Sequence, residues 1–472
     1  MHPFPLNIPR RAFLAGSAAL AAWPRGLFAG VPARMATAWE NPDGTATDAV
    51  MARRLHLDLA GRIPTKAEAQ AYAASPDPGK RAALVDRLLA SREFADYWAM
   101  RFCDILRVKS EFPINLWPNA VYVYHARIRK FVEGNEPWDA FGRALLTSQG
   151  SDFRDAEANF FRATDRRTPE GWAEAVAQTF LGIPPAELAT ERREELALFF
   201  ANLKIKNTRE WKEEIVYVDG PDRRGELCDR LFGAERQTVA NAFQRCIRRW
   251  IFGPESTSCQ LPTSNSQLTT PNSQLHLKDL LRGIVLSDEY ACGSVTGGFP
   301  ARRIDAEVLD DVVCSLGGAR RDYQSPAPEP FSFLPGDRRT VCIEDGSISS
   351  SFLTLFGRPA RDTGLPDERR SEVTPKQRLY LFNSGRLHGL LGRVVMPGGW
   401  KDNPLSRLPL PKRVDDLYWR VLSRAPAKEE LQHVMDLWKR RGGGKKKGAR
   451  SFDLLRDVAW CLFNTKEFLY RI

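Results

Sequence analysis

One fourteen-residue pattern occurs near both ends of the chain, and it constrains the fold more than any other feature. Leu417-Tyr-Trp-Arg-Val-Leu-Ser-Arg424-Ala-Pro426-Ala-Lys428-Glu-Glu430 aligns without a gap on Leu55-His-Leu-Asp-Leu-Ala-Gly-Arg62-Ile-Pro64-Thr-Lys66-Ala-Glu68. Each copy reads as an apolar helix end, a turn and a new helix. In the first copy Thr65 and Glu68 have the spacing of a capping box. An apolar helix follows each copy, and then comes Ser91-Arg-Glu93-Phe94 or Thr465-Lys-Glu467-Phe468. Leu280-Leu-Arg-Gly-Ile-Val-Leu-Ser287-Asp-Glu289-Tyr290 is a partial third copy. Two explanations fit: any well-capped helix-turn-helix has this form, or one hairpin unit is reused, with an aromatic residue packed at the start of its last helix. Both make the two ends of the chain helical.

The segments between continue the theme. Lys80 to Ala90 places Ala83, Leu84, Leu88 and Leu89 on one face, and a helix restarts at Ser91 and runs through Cys103, with Glu93 near its positive end. Helices are expected over 119–131, 138–147, 169–181 and 235–252, where aromatics at helical spacing mark core. Glu214 to Asp219 reads as a short strand ending in a turn. Residues 325–370 are rich in proline and glycine, with short β-prone pieces. The expected class is therefore mainly α, multi-helical, with helical-hairpin units at both ends and an irregular segment carrying short β pieces. At 472 residues and 43 % apolar content the chain can fill more than one core. The expected division is a helical N-terminal domain over 49–232 and a helical C-terminal domain over 235–472.

The first 38 residues stand apart. Arg10-Arg11-Ala-Phe13-Leu14 precedes a weakly hydrophobic Ala-rich run and Arg25, with no acidic residue in the segment. This fits a twin-arginine export signal, with Ala33 and Ala38 as candidate cleavage positions; an N-terminal amphipathic helix is the alternative. Losing its four arginines takes the formal charge from +11 to +7, and Lys439 to Arg450 holds another seven positive charges with no acid. The rest is neutral, so no basic face points to nucleic acid. The stretch 439–450, with its Gly-Gly-Gly-Lys-Lys-Lys-Gly run, reads as a flexible basic loop. Residues 256–276 contain three copies of a seven-residue Gln-Leu pattern too short and polar to bury a face, and read as a disordered insertion. No internal apolar run reaches the roughly 20 residues of a transmembrane helix. The expectation is an exported protein of the periplasm or cell surface.

Familiar reaction chemistry finds little support. The eight cysteines are scattered without a C-x-x-C pair or a zinc spacing. An oxidising compartment would permit disulfides, but Cys103, Cys246, Cys314 and Cys461 lie in helical apolar patterns that suit buried thiols equally. The six histidines are isolated, and G-x-S-x-G and G-x-x-x-x-G-K-[ST] are absent. Asp219-Gly-Pro-Asp222 and Glu344-Asp345-Gly346 lack EF-hand spacing and read as solvated turns. No cofactor, metal site or catalytic residue is assigned.

Four blocks carry a family likeness: Leu106-Arg-Val-Lys-Ser-Glu-Phe-Pro-Ile-Asn-Leu-Trp-Pro-Asn119, Arg302-Arg-Ile-Asp-Ala-Glu-Val-Leu309, Pro328-Glu-Pro-Phe-Ser-Phe333 and Leu353-Thr-Leu-Phe-Gly-Arg-Pro-Ala-Arg-Asp-Thr-Gly364 with Pro366-Asp-Glu-Arg-Arg370. They resemble the exported planctomycete-type family that pairs a 1549-like and a 1553-like domain of unknown function and is associated with cytochrome c. The resemblance covers residues 49–472. Many relatives carry C-x-x-C-H shortly after a Phe-Leu-Gly helix end, where two thioethers and a histidine fix haem. Here Phe180-Leu-Gly182 is followed by Ile183-Pro-Pro-Ala-Glu-Leu-Ala189, with neither Cys nor His. An electron-transfer role therefore has no motif to rest on.

The last block also holds the best candidate site: Arg358, Arg361, Asp362, Glu368 and Arg369, with Asp367 and Arg370 beside them. Mixed charge among Gly357, Pro359 and Gly364 suggests a stiff loop that could grip a carboxylate or sulfate. The alternative, preferred here, is an internal ion-pair network reaching Asp305 and Glu307, because buried charges are costly unless paired. The functional expectation is a non-catalytic binding or scaffold module, with an anionic extracellular polymer or another exported protein as partner. A hydrolase or lyase acting on anionic polysaccharide is the alternative.

Overall fold

The computed structural model describes residues 39–253, 275–294, 298–332, 334–399, 403–442 and 449–472. The expected export segment, nearly all of the expected repeat insertion and half of the expected basic loop lie outside these residues.

Helices dominate, and their sequence signals set most of their ends. The N-terminal unit is built from α1 (Asp48–Ala60), α2 (Lys66–Ala74), α3 (Lys80–Leu89) and α4 (Arg92–Ile105). Thr65 and Glu68 cap α2 reciprocally, and Gly61 ends α1 in the left-handed region. Next come α5 (Pro118–Glu133), α6 (Trp138–Thr147) and α7 (Pro169–Val176), the last continuing as a π turn over Ala177–Leu181. After α8 (Thr190–Ala197) and a small sheet, α9 (Arg236–Phe252) returns to the middle of the molecule. There α4, α5, α6 and α9 share an aromatic core: Phe102 lies 5.2 Å from Phe131, 5.7 Å from Trp138 and 5.5 Å from Trp250, and Trp138 stacks on Phe243 at 4.9 Å.

The sheet joins β1 (Gly150–Ser151), β2 (Leu203–Asn207) and β3 (Glu214–Val218) in the antiparallel order β1-β3-β2, with Leu203 opposite Val218 and Gly150 opposite Val216. The strand expected from residue 214 is thus the central one, with Val216 fully buried. Its partner β2 had only the Leu203 and Ile205 alternation to announce it. Among the described residues of the irregular segment 325–370, Ser349 forms a β-bridge with Gln324, and the short helical turns Thr340–Cys342, Ser351–Leu355 and Pro366–Glu368 lie along it.

The C-terminal half contains α10 (Leu277–Leu286), β4 (Arg302–Arg303), α11 (Ala306–Gly317), α12 (Pro375–Asn383), α13 (Gly385–Val395), α14 (Leu410–Leu422), α15 (Lys428–Arg440), α16 (Ala449–Phe463) and β5 (Tyr470–Arg471). The repeat is visible in atomic detail. Ser91, Ser287 and Thr465 each accept from the backbone N–H three residues on, that of Phe94, Tyr290 or Phe468, at 3.1, 3.3 and 3.2 Å. All three aromatic residues are fully buried. Arg62 and Arg424 each fork onto the glutamate six residues later, and Glu68 and Glu430 also accept from the N-cap N–H of α2 and α15, 2.8 and 2.7 Å away.

Helix α1 joins the copies. Arg53 donates to Val421 O (3.0 Å) and Phe468 O (3.2 Å), Arg54 to Ile472 O (2.9 Å) and Tyr290 O (2.5 Å), and Tyr290 donates its hydroxyl proton to Asp58 (2.7 Å). β4 pairs with β5, and the apolar core runs as one cluster from Trp39 to Ile472.

Two expected loops have ends that are part of the packed fold. Leu275 and His276, the end of the 256–276 insertion, are packed: Leu275 is buried, its carbonyl accepts from Trp138 N (2.9 Å), and His276 Nδ1 lies 2.7 Å from Asn135 O. Likewise Lys439 and Arg440 complete α15, and Arg441 pairs with Asp457 at 2.8 Å, so the expected flexible stretch cannot begin at 439. Among the described cysteines none forms a disulfide, and Cys103, Cys228 and Cys314 are buried thiols. No helix among the described residues is long and apolar enough to cross a membrane.

Candidate functional site

The charged loop of the family block starts from the short helix Ser351–Leu355, capped by Ser350. The chain then turns at Gly357, φ +79°, where a Cβ would meet Arg370 O at 2.3 Å, so only glycine fits. Arg303 holds both strands of the turn, donating to Phe356 O and Arg370 O at 2.6 Å each. Arg361 sits in the left-handed region at φ +59°, an arrangement that non-glycine residues keep only when surroundings enforce it. Its own side chain does so: Nε donates to Asp104 Oδ1 (2.9 Å) and Nη1 to Glu344 O (2.6 Å), with the residue 1 % exposed.

Arg369 bridges two carboxylates. It donates to Asp104 Oδ2 from Nη2 (2.6 Å) and Nε (3.1 Å), and to Glu307 Oε2 from Nη1 (2.6 Å). Arg358 lies 3.4 Å from Glu307 and donates to Asp345 O at 3.1 Å. Asp305 accepts from Arg101 and from Tyr97 Oη (3.0 Å). Burial would push Asp305 and Glu307 up, but the guanidiniums around them, Arg101 and Arg369 for Asp305 and Arg369 and Arg358 for Glu307, hold both below the usual carboxylate range. Burial, and then Arg361, lowers Arg358 to about 10.

Asp362 and Glu368 serve the outer turn. Asp362 accepts from Lys109 Nζ, and Glu368 accepts from Asp362 N (2.9 Å), Thr363 N (3.3 Å) and Thr363 Oγ1 (3.0 Å). Three of the candidate residues, Arg358, Arg361 and Arg369, therefore meet inside the fold, while the other two brace the loop. Arg10 and Arg11 lie outside the described residues. Asp104 and Arg101, which complete the network from α4, were not singled out in the sequence; two opposite charges in the apolar run Trp98 to Leu106 were the available signal.

Beyond the turn, Gly364, Leu365, Pro366 and Asp367 form one wall of a cavity of about 570 Å³. Facing walls come from α9 and from the π turn with Gly182 and Pro184, and Phe102, Trp138 and Phe243 contribute aromatic surface. Its size lies within the roughly 300–1,000 Å³ of ligand pockets. Trp138 Nε1, Thr179 Oγ1 and Gln244 Oε1, on three lining residues, are buried without a hydrogen-bond partner among the described residues. Arg245 is exposed on the same lining, whereas Arg248 forks onto Glu289 and Arg249 pairs with Asp367. None of these polar atoms stood out in the sequence, since each sits singly in a helical pattern.

A buried histidine on α5 gives the region a pH dependence. Burial, and then Arg361, Arg338 and Arg129, pushes His125 down from 6.5 to about 3. The unfolded chain therefore binds a proton that the folded chain refuses between these values. Stability is fully present above the unfolded value and falls with acid at on the order of 1.4 kcal/mol per pH unit. The depressed Asp305 and Glu307 add to the loss below about pH 4. Urea melts should show His125→Gln flattening the slope between about pH 6 and pH 4; an unchanged slope would contradict this account.

Comparison with known families places both halves. A family model described as PSCyt2, protein of unknown function (DUF1549), matches residues 29–195, and one described as PSD1, protein of unknown function (DUF1553), matches residues 267–438. The chain carries both of these domains, one in each half. Asp104 comes from the first matched segment, Glu307, Arg358, Arg361 and Arg369 from the second, so the charge network ties the two together. The cavity also draws on both, and on α9 between them. No curated protein and no solved structure matches the chain.

Proposed function

We propose that the protein is an exported, non-catalytic binding module whose ligand site is the cavity between α9, the π turn and the charged loop. The single observation that carries this reading is the set of unpartnered polar atoms on Trp138, Thr179 and Gln244 beside an aromatic wall. Leaving such groups unpaired costs stability, and a ligand carrying both a donor and an acceptor relieves that cost. Export rests on Arg10-Arg11 and the acid-free, Ala-rich run after them. The arginine forks of the loop are committed to Asp104 and Glu307, which leaves the hydrolase or lyase reading without its anion grip.

The test pairs stability with binding. Anilinonaphthalene sulfonate, an aromatic anion, should bind the folded protein at one saturable site. Thr179→Val removes an unpaired hydroxyl and should raise stability by about 1 kcal/mol. It should also weaken probe binding. If the variant is no more stable and binds the probe as wild type does, the cavity is not the site.

A further inference from the structure

Independently of the cavity, two of the family blocks place aromatic side chains on the surface, together, where packing does not require them. Trp117, the N-cap residue of α5, meets Trp211 at 4.7 Å and Phe331 at 5.3 Å, and the latter two lie 5.7 Å apart. Trp211 is 62 % exposed and Phe331 40 %. Trp117 beneath them is half-buried. Side chains of this size normally dominate the core, so a surface group of three, two of them exposed, drawn from three separate segments marks a binding surface.

Its surroundings are braced and positively charged. Trp211 stands in the connection between β2 and β3, which Thr208 ties down by accepting from Glu210 N (3.0 Å) and donating to Glu213 Oε2 (2.7 Å). Phe331 N donates to Pro328 O at 3.0 Å. The acids of the hairpin are engaged: Glu210 with Arg154, Glu213 with Ser151 and Thr208, Glu214 with Arg162 and Arg167. Its exposed cations Lys206, Arg209 and Lys212 have no carboxylate partner among the described residues; Lys206 and Lys212 lie over Tyr217 and Trp117, at 4.8 and 5.8 Å. Glu329, two residues from Phe331, is one exposed acid against these three cations.

We propose that this surface binds a strand of anionic polysaccharide. The C–H faces of pyranose rings stack on the exposed aromatic faces, and uronate or sulfate groups pair with Lys206, Arg209 and Lys212. A nucleic acid fits less well. The rings cross one another at 61–64°, which leaves no parallel slot for a base, and the cations sit on one hairpin and do not line a groove.

Affinity electrophoresis of the full chain tests this, with gels containing polygalacturonate, dextran sulfate, neutral dextran or a single-stranded oligonucleotide. Retardation is expected by one or both charged polysaccharides, the two arms telling uronate from sulfate, and not by dextran. Trp211→Ala and the triple change Lys206→Gln, Arg209→Gln, Lys212→Gln should each weaken binding about tenfold. Melting temperatures should be unchanged, because these side chains are exposed. The proposal is overturned if neither charged glycan retards the protein, if the variants bind as wild type does, or if the oligonucleotide binds more tightly than both glycans.

Discussion

Replacing Arg369 with alanine is expected to destabilise the protein by on the order of 3–5 kcal/mol. Its guanidinium is the shared partner of Asp104 and Glu307, at 2.6 Å from each, and Glu307 is fully buried. The substitution leaves Asp104 with Arg361 alone and Glu307 with Arg358 alone, 3.4 Å away, and that under-compensated burial, more than the lost attraction, sets the size of the effect. Arg369→Lys should rescue little, because one ammonium cannot reproduce a fork that reaches two acids. Glu307→Gln combined with Arg369→Met should cost less than Arg369→Ala alone, since it removes a charge on each side. Arg361→Ala should behave like Arg369→Ala, leaving Asp104 with Arg369 alone and the carbonyl of Glu344 without its Arg361 donor. Urea denaturation with an unchanged slope would measure all of these. A loss under about 1 kcal/mol for Arg369→Ala would show that the loop tolerates free carboxylates and leaves its charges available for a ligand.

The repeat supplies the second large effect, as a difference between equivalent residues. Arg424→Ala is expected to cost about 3–5 kcal/mol and Arg62→Ala only about 1. Both arginines fork onto the capping glutamate of the following helix, but Arg424 also forks onto Glu467, at 2.6 and 2.8 Å. Glu467 is 5 % exposed. Its counterpart Glu93 lies 3.8 Å from Arg62 with a side chain 39 % exposed, so water replaces the lost partner there. Equal losses would mean that the difference in burial does not matter.

These comparisons show how far the sequence could be read. Caps and periodicity marked most helices because each signal lies within a few residues of what it controls: Thr65 with Glu68, Ser91 with Phe94, Gly61 after α1. The gapless alignment of the two ends even gave the equivalence of Arg62 with Arg424, and the Ser-Arg-Glu-Phe and Thr-Lys-Glu-Phe segments that follow gave that of Glu93 with Glu467. Their unequal burial was hidden, since it depends on what packs above each copy. The charged loop could be found by composition, together with Asp305 and Glu307 as partners to consider. Asp104 could not, because it is 257 residues from Arg361 in sequence and looks like an ordinary helical acid. The cavity left no trace at all, being a property of three walls that meet only in the folded chain. Strand β2, five residues with two apolar positions, carried too little periodicity to be separated from a loop.

Helix α1 has a consequence for the order in which the protein can be made. Arg53 and Arg54 are buried against carbonyls of Tyr290, Val421, Phe468 and Ile472. During synthesis α1 leaves the ribosome first, and the last of those acceptors leave several hundred residues later. Until then the face of α1 that carries its two guanidiniums lacks these acceptors, although its other faces can pack on α2, α3 and α4. Closure of the fold is therefore a late event that reports on the whole chain: a product stopped short of residue 468 leaves α1 unsealed, and proteases can recognise it as unfinished.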